Sequence, residues 1–196
     1  MTIRFFDLII SLIGIIILLP VFFLTSIAII LESKGGAYYR QIRVGKGGQD
    51  FVLYKFRTMY RDSDYAGLLT VGKKDRRITR VGFILRKYKL DELPQLINVL
   101  IGNMSIVGPR PEVRKYVNLY SEKQKEILQI KPGITDIASI EYFNENELLE
   151  NSADHEIFYI EKVMPAKLEL NMLYINNQNI RHYFGIIFNT IARIFS

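Results

Sequence analysis

The chain has 196 residues, 26 Lys and Arg against 20 Asp and Glu, a net charge of +6, and no cysteine. That length allows one domain, or a small domain plus a membrane element. The missing cysteine excludes disulfides and thiolate metal sites, and two distant histidines, His155 and His182, disfavour an imidazole-rich zinc site.

In chain order, Leu8 to Leu31 comes first, a run of 24 residues without a charge between Asp7 and Glu32. As a helix it would reach roughly 36 Å, enough to cross a hydrocarbon core of about 30 Å. The run is long for a signal peptide and no small-residue cleavage site ends it, so it reads as a retained anchor. Pro20 lies at its centre, removes one backbone hydrogen bond and predicts a kink. A kinked spanning helix and a re-entrant hairpin both satisfy this pattern. Lone prolines are common in spanning helices, so the residues alone lean towards a span. Lys34, Arg40, Arg43 and Lys46 after the run place the following domain in the cytoplasm.

Ala37 to Met59 predicts a β-hairpin, with YYRQIRV and DFVLYKFRTM as strands and Gly45-Lys46-Gly47-Gly48 as the turn. The glycine cluster lacks the spacing of a phosphate loop. Lys55 and Arg57 fall on one face of the second strand, with Phe56 on the other. Two cations aimed the same way could grip a phosphate. Tyr60 to Asp75 reads as a polar, mobile loop, and the cationic stretch Arg76 to Lys89 carries Val81, Ile84 and Leu85 at helical spacing.

Charge is unevenly spread. Residues 34 to 115 hold 18 Lys and Arg against 7 Asp and Glu, a net of +11, whereas residues 116 to 196 hold 7 against 11, a net of −4. A central basic block of this kind wants an anionic partner: nucleic acid, anionic lipid or a phosphorylated small substrate. Arginine is the commoner cation in it and suits bidentate phosphate contact.

Leu93, Leu96, Ile97 and Leu100 predict an amphipathic helix with Pro94 in its first turn. Asp91 and Glu92 then stand at its N-terminus, where the helix dipole favours negative charge. Capping by Asp91 would account for one acid but not two. An ionised aspartate can attack phosphorus, and phosphoryl chemistry needs cations: a Mg2+ ion and arginines. Arg110, held between Pro109 and Pro111 on a stiff extended frame, suits that need. Pro132-Gly133 marks a turn, Glu141 to Glu161 is acidic, and Val163 to Ile175 resumes an apolar pattern with Pro165 near its start. Ile180 to Phe195 carries a broad aromatic and aliphatic face, consistent either with a helix lying at the headgroup level or with one packed on the core.

These segments resemble the bacterial sugar transferases, the monotopic phosphoglycosyl transferases. The resemblance rests on KFRTM (55–59), DRRITRVGFILRKYKLDELPQLINVLIGNMSIVGPRPE (75–112), KPGITDIASI (131–140) and MPAKLELNMLYI (164–175), and covers nearly the whole chain. It implies transfer of a sugar 1-phosphate from a UDP-sugar to polyprenyl (undecaprenyl) phosphate with release of UMP, the first membrane step of glycan assembly. Asp91 and Glu92 would be the catalytic dyad, with Asp91 forming a covalent phosphosugar intermediate and both residues beside Mg2+. Lys55, Arg57, Arg86 and Arg110 would bind phosphates. The implied fold is α+β and mainly helical: a re-entrant membrane helix hairpin over 1–33 hinged at Pro20, and a compact catalytic domain over 34–196. The domain would hold a small β-hairpin and amphipathic interfacial helices, the last over about 178–196. The implied location is the cytoplasmic face of the bacterial inner membrane, among membrane lipids and downstream glycosyltransferases. Asn103, Asn144, Asn171 and Leu19 depart from the family's usual residues without touching the dyad. A membrane-bound scaffold that binds anionic lipid without catalysis is the competing reading. A membrane-tethered nucleic-acid binder finds no recognition motif in the sequence.

Overall fold

The computed structural model describes residues 2–61 and 75–195. The loop expected over Tyr60 to Asp75 falls almost entirely outside them. The chain begins with α1 (Thr2–Glu32), then a hairpin of β1 (Tyr38–Val44) and β2 (Asp50–Phe56). The strands are antiparallel with Tyr39 opposite Lys55, and Gly47 and Gly48 take positive φ in the connection, where a Cβ would be strained. Next come α2 (Arg80–Lys87), a single tight turn at Leu90–Glu92, α3 (Gln95–Ile101) and β3 (Ser105–Val107). Short helices α4 (Arg114–Val117) and α5 (Glu122–Lys125) lead to β4 (Gly133–Thr135), which pairs parallel to β3. Then α6 (Ile137–Glu141), α7 (Glu145–Glu150), α8 (His155–Phe158) and a wide turn at Tyr159–Val163 precede the long α9 (Met164–Asn176) and α10 (Ile180–Phe195). The molecule is thus mostly helical with one small hairpin.

The helix expected from Asp91 onwards starts later. Pro94 stands at the N-cap of α3, and Asp91 and Glu92 occupy the separate turn before it. Lys89 ends the approach from α2 in a left-handed conformation, φ 55°. That reversal turns the chain so that both acids face inward, and both are buried.

Among the described residues α1 is the one helix long and apolar enough to cross a bilayer. It is a single helical element through Pro20, not two helices joined by a loop. It does not project away from the rest of the protein. Asp7, Ser11, Phe22 and Ile29 are its buried positions, spaced by 4, 11 and 7, which keeps one side of the helix on the domain. Its opposite side exposes Phe5, Ile13, Ile17, Phe23, Ile27 and Leu31, among other apolar residues. Polar bonds fasten both ends. Arg4 donates to the carbonyls of Val99 (2.6 Å) and Leu100 (3.1 Å) in the last turn of α3. Asp7 accepts from Ser105 Oγ, the Ile106 N–H and Tyr183 Oη, each at 2.9 Å. At the far end Glu32 accepts from the N–H groups of Arg80 (2.7 Å) and Val81 (2.9 Å), capping α2.

One core cluster gathers Leu53, Val99, Met104, Val107, Tyr174 and Tyr183 between β2, α3, β3, α9 and α10. A second joins Phe22 and Ile29 of α1 to Phe56 and Leu85, and a third lies under α4 and α9. In α10 the side chains of Tyr183 and Ile186 enter the core and Phe184 packs edge-on against Phe6 of α1. Phe188, Ile191 and Phe195 remain exposed.

Candidate active site

The site forms where the turn at Leu90–Glu92 meets β2. Asn98 of α3 makes that meeting specific. Its side-chain oxygen accepts from the Tyr54 N–H at 3.0 Å and its amide donates to the Val52 carbonyl at 2.7 Å, so it pairs with β2 as a neighbouring strand would. This registers α3, and the acids just before it, against Lys55. The other flank is set by α2. Thr79 caps it, and a Cβ on Gly82 would lie 2.0 Å from the Thr58 carbonyl oxygen, so only glycine permits this approach. Arg86 on the same helix donates to Thr58 Oγ1 at 2.9 Å.

Glu92 is fully engaged. Its Oε1 accepts from Arg110 Nη2 at 2.6 Å and Lys55 Nζ at 3.1 Å, and its Oε2 accepts from Arg110 Nη1 at 3.2 Å. Burial works against its charge, but Arg110 and Lys55 outweigh burial and hold the carboxyl well below the usual range. Reciprocally, Glu92 raises the Arg110 guanidinium against the cost of burial. Burial lowers Lys55, and Glu92 opposes that.

Asp91 is the opposite case. It is 8% exposed, and its Oδ1 is buried with no hydrogen-bond partner. Burial pushes its carboxyl up and the adjacent Glu92 charge adds to the rise, while Lys55, Arg86 and Lys89 oppose it. The helix dipole expected to keep Asp91 ionised is not the governing influence, because the acid sits on an isolated turn and not on a helix. Its ionisation depends on the surrounding cations. A neighbour that is locked ionised and a free carboxylate ringed by positive charge form a division of labour. One acid organises the cations and the other is left open to react or to bind.

The expected phosphate ligands separate into two groups. Lys55 and Arg110 bond Glu92, and Arg86 acts on Asp91 through its charge, opposing the rise of that carboxyl. Arg57 does neither. Its guanidinium donates to Ser33 Oγ (2.8 Å) and to the carbonyls of Gly36 (2.7 Å), Ser33 (2.9 Å) and Lys34 (3.1 Å), fastening the chain that leaves α1. No hydrogen bond or ion pair joins it to Asp91 or Glu92. Alternation along β2 put Lys55 and Arg57 on one face, but a strand that ends at Phe56 leaves Arg57 free to turn elsewhere.

The residues offer a divalent cation limited support. Among the described residues no group of three or more His, Cys, Asp or Glu side chains could hold a metal. Both oxygens of Glu92 are taken by cations, so of the two expected ligands only Asp91 has a vacant oxygen. One carboxylate fits Mg2+, which is commonly held by one or two carboxylates together with substrate phosphates and water.

Sequence reasoning missed the scaffold behind Arg110. Arg43 of β1 donates to the Pro111 carbonyl at 2.9 Å and lies 3.6 Å from Glu112. Tyr159 Oη also donates to Glu112, and the Val44 N–H donates to the Glu112 carbonyl at 2.9 Å. An acid directly after a Pro-Arg-Pro segment was the available signal, but its partners lie 47 and 69 residues away.

The sequence pattern of the family described as "Bacterial sugar transferase" matches residues 1–196. The chain belongs to the bacterial sugar transferase family. Three relatives illustrate its neighbourhood. A Bacillus subtilis (strain 168) protein named "Putative undecaprenyl-phosphate N-acetylgalactosaminyl 1-phosphate transferase" is 50% identical over 67% of this chain and 70% of its own length. A Caulobacter vibrioides (strain ATCC 19089 / CIP 103742 / CB 15) UDP-glucose:undecaprenyl-phosphate glucose-1-phosphate transferase is 44% identical over 62% of this chain and 46% of its own length. An Aeromonas hydrophila UDP-N-acetylgalactosamine-undecaprenyl-phosphate N-acetylgalactosaminephosphotransferase is 37% identical over 80% of this chain. This sugar transferase therefore spans under half the length of the last two, 46% and 38%.

Proposed function

We propose that this sugar transferase moves a sugar 1-phosphate from a UDP-sugar to undecaprenyl phosphate and releases UMP. The observation that carries the reading is the unpartnered, buried carboxylate oxygen of Asp91 beside a Glu92 locked to Lys55 and Arg110. The relatives' names supply the substrate classes, and the basic site supplies charge for the phosphates.

In this reading the ionised Asp91 carboxylate attacks the β-phosphorus of the UDP-sugar. A bond forms between the Asp91 oxygen and phosphorus, the bond to the UMP oxygen breaks, and UMP leaves with the electron pair. An oxygen of undecaprenyl phosphate then attacks the same phosphorus and the Asp91 carboxylate is expelled. The product is a diphosphate-linked lipid sugar, the acceptor that downstream glycosyltransferases would extend. Lys55, Arg86 and Arg110 neutralise the phosphate oxygens, and Glu92 keeps two of those cations in place. Mg2+ held at Asp91 would supply further charge neutralisation to the diphosphate.

In the same reading α1 supports a membrane arrangement. Its exposed apolar side suits lipid, while Arg4, Asp7 and Glu32 bind both of its ends to one domain. A helix fastened at both ends to the same domain enters and leaves the bilayer from that domain's side, with Pro20 as the point of flexure. The basic residues after α1 favour the cytoplasmic side. The exposed Phe188, Ile191 and Phe195 of α10 would sit at headgroup depth.

The test is Asp91→Asn in reconstituted protein. UMP release from a panel of UDP-sugars with undecaprenyl phosphate should be lost while membrane association is kept. Undiminished release removes Asp91 as the nucleophile. Absence of release by the unaltered protein across the panel favours the lipid-binding scaffold instead.

A further inference from the structure

Arg110 is held by its side chain through Glu92, but also by its main chain through a residue to which no role has so far been assigned. Pro109 and Pro111 have no N–H, so the N–H of Arg110 is the one main-chain donor in the Pro-Arg-Pro segment. It donates to Asp136 Oδ2 at 2.9 Å. The contact extends the β3–β4 pairing by one step. Before it, the Ser105 N–H donates to the Pro132 carbonyl at 2.9 Å and the Gly108 N–H to the Thr135 carbonyl at 3.0 Å. At Asp136 a carboxylate oxygen takes over the place in the ladder that a carbonyl would hold.

Asp136 is completely buried. Three donors converge on it: the Arg110 N–H, the Ser139 N–H that it caps at the start of α6, and Asn171 Nδ2 at 2.8 Å. The orientation of Asn171 shows what this junction requires. Its amide nitrogen faces Asp136, and its own Oδ1 is left buried without a partner. The donor at 171 thus meets the acceptor at 136. A side chain at 171 that could only accept would face the Asp136 oxygen with no donor between them.

We propose that Asp136 is a positioning residue for catalysis, which sets the main chain of Arg110 and thereby aims its guanidinium at Glu92 and the substrate phosphates. The role rests on the transferase reading, since it acts through Arg110. It is separate from the capping of α6, which any N-cap residue could serve.

The experiment uses the full chain in lipid nanodiscs, with Asp136→Asn and Asp136→Ala each made alone and in an Arg110→Ala background. Asparagine keeps an oxygen for one of the two main-chain donors and turns an N–H towards the other. Alanine removes both acceptors. Amide hydrogen exchange at Arg110 and Ser139 reads which contact is lost. UMP release should follow Arg110 and not Ser139. A variant that speeds exchange at Arg110 should lose about tenfold or more in kcat/KM. The same substitution should cost less than about threefold once Arg110 is alanine, because the two residues act as one unit. An equal loss in both backgrounds overturns the proposal, as does rapid exchange at Arg110 with turnover retained. Should the unaltered protein release no UMP from any UDP-sugar, the transferase reading fails. Exchange at Arg110 still decides the brace, and unchanged protection there in both variants refutes it.

Discussion

Asp7→Ala should destabilise the protein by removing one buried polar attachment between α1 and the elements it packs on. Asp7 is 2% exposed and its Oδ1 accepts from Ser105 Oγ, the Ile106 N–H and Tyr183 Oη. Alanine leaves all three donors facing an empty acceptor site. The two hydroxyls can rotate towards other oxygens, but the Ile106 N–H is fixed in β3 and cannot. Counting about 2 kcal/mol for the fixed donor and about 1 kcal/mol for each hydroxyl gives a loss of roughly 4 kcal/mol. For a chain of this size that corresponds to a fall in Tm of about 8–16 °C. Asp7→Asn retains an acceptor oxygen without the charge and should lose only about 1 kcal/mol. The assay is thermal unfolding of the full chain in nanodiscs, with wild type, Asp7→Asn and Asp7→Ala compared. A melting temperature for Asp7→Ala within about 2 °C of wild type would refute the reasoning. It would mean that the Asp7 bonds add little and that α1 is held by its apolar side and by the bonds of Arg4 and Glu32.

Further outcomes follow from the structure. In the proposed mechanism the attacking form of Asp91 is ionised, so the acidic limb of kcat/KM should lie above the ordinary aspartate value of about 3.9, because burial and Glu92 raise Asp91. Lys55→Met removes a cation that favours that ionised form, so the limb should move to higher pH; an unmoved limb counts against the assignment. Glu92 has a depressed folded-state value, so its stabilising contribution is full above its unfolded value of about 4.3 and is lost as pH falls through the folded one. Glu92→Gln should accordingly flatten the acid side of a Tm-against-pH curve. Gly82→Ala forces α2 off the Thr58 carbonyl and draws Arg86 away from Asp91, lowering kcat by about tenfold or more in steady-state assays. Arg57→Ala should lower stability by about 2 kcal/mol through the carbonyls after α1. Its KM for UDP-sugar should stay within about twofold, and a large rise in KM would restore Arg57 to the phosphate site.

Much of the architecture was legible locally. The apolar run of α1, the hairpin with its glycine turn, Pro165 at the start of α9 and the periodic α10 depend on short-range rules, and they stand where those rules put them. The helix at Asp91 was displaced because proline-based reasoning locates a first turn but not the break before it. The left-handed Lys89 and the turn at 90–92 separate the acids from α3. Arg57 was misdirected for a similar reason: strand alternation predicts a face only while the strand continues.

The order of residues by itself determined which chemistry was available. It placed two adjacent acids before a helix, an arginine between prolines, a basic block and an apolar run long enough for a bilayer, and its motifs carried the family resemblance. None of these depends on distant contacts. Tertiary structure alone decided how the two acids differ. Glu92 meets Lys55 from 37 residues before and Arg110 from 18 after, while Asp91 Oδ1 meets no donor. Burial and opposing charge act through space, and the same burial that raises one carboxyl is overcome at its neighbour by two cations. The sequence places those cations far along the chain, and only folding brings them within hydrogen-bonding distance.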